Sequence, residues 1–119
     1  MDPDDNSKPE ELPSEISVQE TKALLDSDSS TLLLDCREPK EHSTARIEGS
    51  VFIPMDEVAE RVSELEEYRD KRIVVHCHHG GRSLQVVNWL RNHGFLNAQN
   101  MTGGIDVWSQ EIDPEVPRY

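Results

Sequence analysis

Basic side chains are scarce in this chain. Lysine and arginine number 12 against 24 aspartates and glutamates, so the formal net charge is −12. A surface this acidic repels nucleic acid and anionic membrane faces, which argues against both as partners. Basic protein surfaces are the macromolecular partners that this charge favours.

Long apolar runs are also absent. No stretch approaches the roughly 20 apolar residues that a membrane helix needs. The first residues, Met-Asp-Pro-Asp-Asp, lack the basic and apolar regions of a secretion signal. We therefore expect no membrane segment and a cytoplasmic protein. Only two cysteines are present, Cys36 and Cys77, and two thiols are expected there rather than a disulfide.

A length of 119 residues suits one hydrophobic core. Residues 1–14 contain five acidic residues and three prolines, with little that could be buried. This composition predicts a disordered tail or linker over residues 1–14 and a single domain over residues 15–119.

Strand and helix patterns alternate through that domain. Ser17 and Glu20 form a capping box that begins a helix just after a brief strand at Ile16. Further strands are predicted from apolar or weakly apolar runs at 31–35, 51–53, 73–76 and 98–101. Helical spacing is found in 55–65 and 84–90, with Gly94 as a left-handed cap, and a short helix follows Gly103-Gly104. The alternation predicts an α/β fold, a small parallel sheet of about five strands with helices on both faces.

The most informative stretch follows the apolar run Ile73-Val74-Val75. It contains Cys77, His78, His79, Gly80, Gly81, Arg82 and Ser83. A cysteine between a strand end and a helix start lies among backbone N–H groups that stabilise a thiolate. The glycines let successive amides face one point, and the arginine adds positive charge at the rim. These features favour a reactive thiolate at Cys77 over an inert buried thiol.

The histidines of this stretch suggest a metal, because His76, Cys77, His78 and His79 are all residues that bind zinc. Four consecutive residues at a strand end cannot point at one ion, and no second ligand pair follows at the usual spacing. We therefore expect no metal. His76 points away from Cys77 on the period-two rule and is expected to pack internally. His78 and His79 are expected to raise the local positive potential or contact substrate.

A second polar group, Asp35, Arg37 and Glu41, follows the run at 31–35. In a parallel sheet it lies beside the end of the cysteine strand, where ligands bind in open α/β sheets. These side chains either contact substrate or form a salt-bridge network that fixes the loop. Cys36 is interpreted as a small buried hydrophobe, with a role as resolving thiol for Cys77 as the alternative.

The spacing of cysteine and arginine separates two chemistries. Cysteine-dependent phosphatases place five residues between them, whereas this chain has four. The shorter loop resembles that of the rhodanese family, and the resemblance extends over about residues 14 to 119. It also rests on three further motifs: Asp35-Cys36-Arg37-Glu38 with Glu41, Ile47-Glu48-Gly49-Ser50 leading to Ile53-Pro54, and Gly103-Gly104 followed by Trp108.

The ending from Trp108 to Tyr119 resembles the carboxyl-terminal rhodanese domain of the activating enzymes that sulfurate molybdopterin synthase and related sulfur carriers. Two positions depart from the family pattern. Ala45-Arg46 stands where a Gly-His pair is frequent, and Cys36 stands where valine is common.

The resemblance implies a sulfurtransferase that needs no metal or organic cofactor. Cys77 would be the catalytic residue, taking sulfane sulfur from thiosulfate or a desulfurase persulfide and passing it to cyanide, a thiol or a sulfur-carrier protein. The substrate-binding residues implied are His78, His79, Gly80, Gly81, Arg82, Ser83, Asp35 and Arg37. Two alternatives remain: a noncatalytic rhodanese module for docking or regulation, and a cysteine phosphatase or arsenate reductase.

Overall fold

A computed structural model describes residues 12–119, and its sheet is parallel throughout. The five strands stand in the order β1-β5-β4-β2-β3. They are β1 Glu15–Ile16, β2 Leu32–Asp35, β3 Val51–Phe52, β4 Ile73–His76 and β5 Ala98–Met101. The predicted five-stranded α/β fold is confirmed.

The central strands β2 and β4 are buried on both faces, which explains their nearly continuous apolar sequences. In β2, Leu32 and Leu34 pack into one core with Ile73 and Val75 of β4. Leu33 points to the opposite face and packs into a second core. Apolar residues therefore occupy the first three positions of both strands, and no alternation is seen in their sequences.

Within residues 12–119, four α-helices cover the sheet and its edge. They are α1 Val18–Ser27, α2 Pro39–Thr44, α3 Gly81–Asn92 and α4 Gly104–Glu111. Val87 and Leu90 of α3 are buried in the first core, while Val18 of α1 and Trp108 of α4 are buried in the second. Helices therefore lie on both faces, as predicted.

The beginning of α1 follows the capping-box prediction. Ser17 Oγ accepts the N–H of Glu20 at 3.0 Å, and the Glu20 side chain accepts the N–H of Ser17 at 3.1 Å. Gly94, just past α3, has a φ of 93° and is the left-handed residue predicted there. Helix α2 was not predicted, because its six residues include no apolar residues at helical spacing and none of them is buried. Pro39 occupies its first position, for which proline is well suited.

The amphipathic helix predicted over 55–65 is wrong. This segment contains two 3-10 helices, Met55–Glu57 and Val62–Tyr68, whose hydrogen bonds join residues three apart, as between the Glu57 N–H and the Pro54 carbonyl at 2.8 Å. A spacing of three is shared by both helix types, so Val58 and Leu65 are buried in either case. Ala59, which the helical pattern placed on the same face, is exposed.

The predicted tail, residues 1–14, lies outside the described residues up to position 11. Its last three residues contact the domain. Arg91 Nη2 donates to the carbonyls of Leu12 and Pro13, and the Asn100 N–H donates to the carbonyl of Ser14. Across residues 12–119, no helix has the length and apolar character needed to cross a bilayer.

Candidate active site

Cys77 lies directly beyond the carboxyl end of β4, at the edge of the sheet where β2 also ends. The register places Asp35 opposite His76, so the residues that follow them, Cys36 and Cys77, leave neighbouring strands side by side. The Cys77 side chain belongs to the first core and the residue is only 1% exposed. The thiol is therefore held at the bottom of its loop.

The loop surrounds the sulfur with hydrogen-bond donors. The N–H of Gly80 lies 3.1 Å from Cys77 Sγ, the N–H of Ser83 lies 3.4 Å away, and Ser83 Oγ lies 3.3 Å away. Gly80 has a φ of 117°, which glycine adopts without strain, and this turn aims its amide at the sulfur. The arrangement is an anion-binding nest at the start of α3.

These donors change the acidity of the thiol. Burial by itself raises the pKa of Cys77, but hydrogen bonds from the Ser83 hydroxyl and from the N–H groups of Ser83, Gly80 and Arg82 outweigh it. The pKa of Cys77 is consequently lowered, as predicted for a thiolate among inward-pointing amides.

Ser83 is held by a residue that the sequence analysis missed. The side-chain oxygen of Asn100, on β5, lies within hydrogen-bond reach of Ser83 Oγ and is an alternative to Cys77 Sγ as acceptor of the single hydroxyl proton. Asn100 Nδ2 donates to the Gly80 carbonyl at 3.1 Å and to the Glu15 carboxylate. Asn100 thus contacts the cysteine loop at its middle and at its end. The sequence signal for Asn100 was an amide side chain inside a predicted strand. The structure buries every position of that strand, so the amide needs hydrogen-bond partners.

Replacing Ser83 by alanine is expected to raise the pKa of Cys77, because one donor to the thiolate is removed while burial stays. At a pH below the midpoint, the thiolate fraction should fall by roughly tenfold, the effect of losing one hydrogen bond to a charged group. Thiolate absorbance in the ultraviolet, followed against pH in a Cys36→Ala background, measures this with one thiol present. An unchanged midpoint would show that the hydroxyl does not stabilise the anion.

The loop rests on the amino-terminal end of α4. The N–H groups of Ile105 and Asp106 donate to the carbonyls of Cys77 and His78, at 2.9 and 3.2 Å. Gly104 has a φ of 64°, and a Cβ there would lie 2.4 Å from the His78 carbonyl oxygen. The Gly103-Gly104 motif is thus explained by a close approach of two backbones.

Asp35 and Arg37 form an ion pair beside the loop with no exposed surface on either side chain. Arg37 Nη2 and Nε donate to the Asp35 carboxylate at 2.7 and 2.9 Å, and Nη2 also donates to the Ala45 carbonyl. Burial by itself raises the pKa of Asp35, but the hydrogen bonds from Arg37 and His42 lower it to about 2. This burial favours the salt-bridge network over substrate contact, the two alternatives that the sequence left open.

The Arg82 side chain turns toward α2 and pairs with Glu41. Arg82 Nη1 and Nη2 donate to the two oxygens of the Glu41 carboxylate at 2.6 and 2.9 Å. Tyr119 joins this pair to the buried one: its hydroxyl donates to Glu41 Oε2 at 2.8 Å and accepts from Arg37 Nη1 at 2.9 Å. Tyr119 was also missed, because nothing local in the irregular segment 113–119 indicates a contact 78 residues away.

The histidines take different positions. His76 is fully buried, and burial lowers its pKa to about 4, so it is a packed neutral residue, as expected. His78 stacks between His79 and Tyr119, with ring centroids 3.9 Å apart on each side. Burial also lowers the pKa of His78, which reduces the positive potential expected from it.

His78 and His79 lie close to one acidic residue, Asp106, with one potential metal-ligand atom of each within 4.8 Å of the others. The Asp106 carboxylate already accepts hydrogen bonds from Arg118 at 2.9 Å and Gln110 at 3.1 Å. The positively charged partner of the Asp106 carboxylate is therefore the Arg118 side chain.

Cys36 differs from Cys77 in its surroundings. Its Sγ lies 3.5 Å from the His76 carbonyl oxygen, an acceptor rather than a donor. Burial, the charge of Cys77 and that of Asp35 all raise the pKa of Cys36. Cys36 is therefore a protonated, buried thiol, consistent with the small hydrophobe inferred from the sequence.

Comparisons with known proteins agree with this geometry. A model of the rhodanese-like domain matches residues 17–111. The putative sulfur carrier protein YrkF of Bacillus subtilis is 38% identical over 99 residues, covering 83% of this chain and 52% of that protein. Adenylyltransferase and sulfurtransferase MOCS3-2 of Zea mays is 35% identical over 109 residues, covering 87% of this chain and 23% of that protein.

Among solved structures, the human single-domain sulfurtransferase TSTD1 superposes with a TM-score of 0.74 at 25% identity, covering 84% of this chain and 98% of that one. The chain spans only about half the length of YrkF and about a quarter of MOCS3-2. The similarity to these proteins confirms the resemblance that the motifs indicated.

Proposed function

The chain belongs to the rhodanese-like domain family, and we propose on that basis that it carries sulfane sulfur as a persulfide on Cys77. The family and its sulfurtransferase members support a sulfur-transfer role. The observation that carries the residue assignment is the set of donors on Cys77 Sγ, from Gly80 and from both the amide and the hydroxyl of Ser83.

The first half-reaction loads the sulfur. The Cys77 thiolate forms a bond to the outer sulfur of thiosulfate, the sulfur–sulfur bond of thiosulfate breaks, and sulfite leaves with the bonding electron pair. The negative charge then rests on the outer sulfur of the persulfide. Amides that already point at Sγ stabilise a charge one bond further out without reorganisation.

The second half-reaction unloads it. A nucleophile such as cyanide or a thiol attacks the outer sulfur, and Cys77 leaves as a thiolate. The hydrogen bonds that lower the pKa of Cys77 also make it a good leaving group. The loop residues His78, His79, Gly81 and Arg82 would line the approach, while Asp35 and Arg37 would hold the neighbouring loop in place. No metal or organic cofactor takes part.

The physiological partners follow from the same chemistry. We propose a protein persulfide, as formed by a desulfurase, as one donor and a sulfur-carrier protein as one acceptor, a context supported by the names of YrkF and MOCS3-2. The net charge of −12 favours partners with basic surfaces. The proposed compartment is the cytoplasm, where the reduced thiol of Cys77 is maintained.

Steady-state kinetics test this function. Initial rates of thiocyanate formation, with sulfur donor and cyanide both varied, are expected to give parallel double-reciprocal lines, because the first product leaves before cyanide reacts. Intersecting lines would contradict a persulfide intermediate. The absence of thiocyanate with both thiosulfate and an organic persulfide would favour the docking-module alternative. Hydrolysis of an aryl phosphate that is lost in Cys77→Ser would instead favour the phosphatase alternative.

A further inference from the structure

The one arginine of the cysteine loop is already paired with an acid. Arg82 directs both terminal nitrogens at Glu41 in a bidentate ion pair whose side chains are 31% and 19% exposed. Such a pair uses the fork geometry that would otherwise bind an incoming oxyanion. A negatively charged substrate therefore meets a cation whose charge has been neutralised.

Glu41 is fixed in this position by two further hydrogen bonds. Its carboxylate accepts the Tyr119 hydroxyl at 2.8 Å and the N–H of Glu38 at 3.1 Å. The hydrogen bonds from Arg82 lower the pKa of Glu41 to about 2, and burial raises the pKa of Tyr119 to about 12. Across the neutral range Glu41 therefore remains an anion and Tyr119 remains a donor, so changes of pH in this range do not remove the charge that pairs with Arg82.

The space beside Arg82 is acidic as well. A cavity of about 340 Å³ lies between the ends of β2 and β3, with Arg82 in its wall. Three carboxylates, Glu38, Asp56 and Glu57, share that wall, and its other arginine, Arg37, is committed to Asp35. Both arginines of this wall are thus paired with acids, so a negatively charged substrate that enters the cavity finds no unpaired arginine there.

We propose that Glu41 is a specificity-determining residue that selects against dianionic sulfur donors and in favour of donors with at most one negative charge, the class of organic persulfides and thiosulfonates. This inference rests on the proposed sulfur transfer through Cys77. Thiosulfate, a small dianion, would then be a chemically competent but poor donor, and removal of the Glu41 charge would improve it.

Two small donors of similar shape and different charge separate this effect from general damage. Thiosulfate is a dianion that releases sulfite, and methanethiosulfonate is a monoanion that releases methanesulfinate. In each case the Cys77 thiolate forms a bond to the terminal sulfur, the adjacent sulfur–sulfur bond breaks, and the leaving group takes the electron pair. Because the leaving groups differ in reactivity, only the change between variant and wild type is compared for each donor.

The central variant is Glu41→Gln, which keeps the size of the side chain and removes its charge. We expect kcat/KM for methanethiosulfonate to rise about threefold and that for thiosulfate to rise about tenfold. The second factor is roughly the square of the first, because a dianion interacts twice as strongly with the removed charge. Thiocyanate formation at low ionic strength measures both.

The matched control is Asp56→Asn. It removes one carboxylate from the wall of the same cavity, and Asp56 makes no ion pair to Arg82, whose partner is Glu41. We expect kcat/KM for each donor to change by less than about twofold, since the exposed charge of Asp56 is screened by solvent. Glu41→Asp is a second variant, which keeps the charge on α2 but withdraws it from Arg82. It should change kcat/KM for both donors in the same direction as Glu41→Gln, by smaller factors.

The outcomes are distinct. The inference would be overturned, with sulfur transfer left intact, if the ratio of kcat/KM for thiosulfate to kcat/KM for methanethiosulfonate is the same in folded Glu41→Gln as in the wild type. If Glu41→Gln does not fold, the same comparison is made with Glu41→Asp. A larger loss with thiosulfate than with methanethiosulfonate would also overturn it. If the wild type transfers sulfur neither from these two donors nor from an organic persulfide, the proposed function itself fails.

Discussion

Replacing Cys77 by alanine is expected to abolish sulfur transfer, with a fall in kcat/KM of roughly 10⁴-fold or more. The reason is that the reaction needs a nucleophile that accepts sulfur covalently, and the Gly80 and Ser83 donors of the loop are aimed at this one atom. Gly80 and Ser83 stay in place in the variant but have no sulfur to stabilise. Thiocyanate formation from thiosulfate, or from an organic persulfide, is the measurement.

The control is Cys36→Ala, which deletes the same atom from the neighbouring strand end. Since the pKa of Cys36 is raised by burial and by the charge of Cys77, this thiol has little nucleophilic character. We expect activity within about threefold of the wild type. Equal losses in the two variants would contradict the assignment of Cys77 as the sole sulfur-accepting residue and favour the resolving-thiol alternative for Cys36.

Replacing Arg37 by leucine is expected to lower the free energy of unfolding by about 3–5 kcal/mol at neutral pH. Arg37 and Asp35 are both without exposed surface, and the substitution leaves the Asp35 carboxylate buried with the His42 ring as its remaining side-chain partner. It also removes the donors to the Ala45 carbonyl and to Tyr119. Denaturant unfolding measures the change, and Arg46→Leu is the control, an arginine 52% exposed whose loss should barely move the midpoint.

This destabilisation should depend on pH with a definite sign. In the wild type the pKa of Asp35 is lowered to about 2 from 3.8, so the ion pair contributes stability above pH 4 and loses it as the pH falls toward 2. In the variant the unpaired, buried carboxyl has a raised pKa, so protonation on acidification relieves its cost. The difference in the free energy of unfolding between the wild type and Arg37→Leu should therefore decrease as the pH decreases. A difference that increases on acidification would show that the destabilisation does not come from an unpaired Asp35.

The geometry of the cysteine loop could be predicted from the sequence because its signals are local. An apolar run, a cysteine, two glycines and an arginine lie within 11 consecutive residues, 73–83. Each of these features can be recognised without reference to the rest of the chain. The strand end and helix start then determine where the amides point. Nothing distant is needed to place Gly80 and Ser83 around the sulfur.

The roles of Asp35 and Arg37 could not be decided from the sequence in the same way. Charged residues at a strand end are compatible with a solvent-exposed binding site and with a buried ion pair, and only the packing of α2 and the Ala45 carbonyl separates these cases. Asn100 and Tyr119 reach the site from positions 23 and 42 residues beyond Cys77. Contacts of that separation depend on the path of the whole chain, which no short pattern contains.

The prediction of an amphipathic α-helix over residues 55–65 failed for a different reason. Its apolar residues recur at steps of three and four, and a step of three is the period of a 3-10 helix as well as part of the α-helical pattern. Pro54 and the two short turns that follow keep Val58 and Leu65 inward without a continuous helix. Periodicity identified Val58 and Leu65 as buried, but it also placed the exposed Ala59 on their face and indicated the wrong type of helix.

A persulfide on Cys77 can be detected directly from the mass of the intact protein. The reduced wild-type protein is mixed with a sulfur donor in the absence of any acceptor, and its intact mass is recorded before and after addition of cyanide. We predict a gain of one sulfur atom, roughly 32 Da, that maps to the peptide containing Cys77 and disappears with cyanide. No gain from thiosulfate or from an organic persulfide, or a gain that maps to Cys36, would contradict the account.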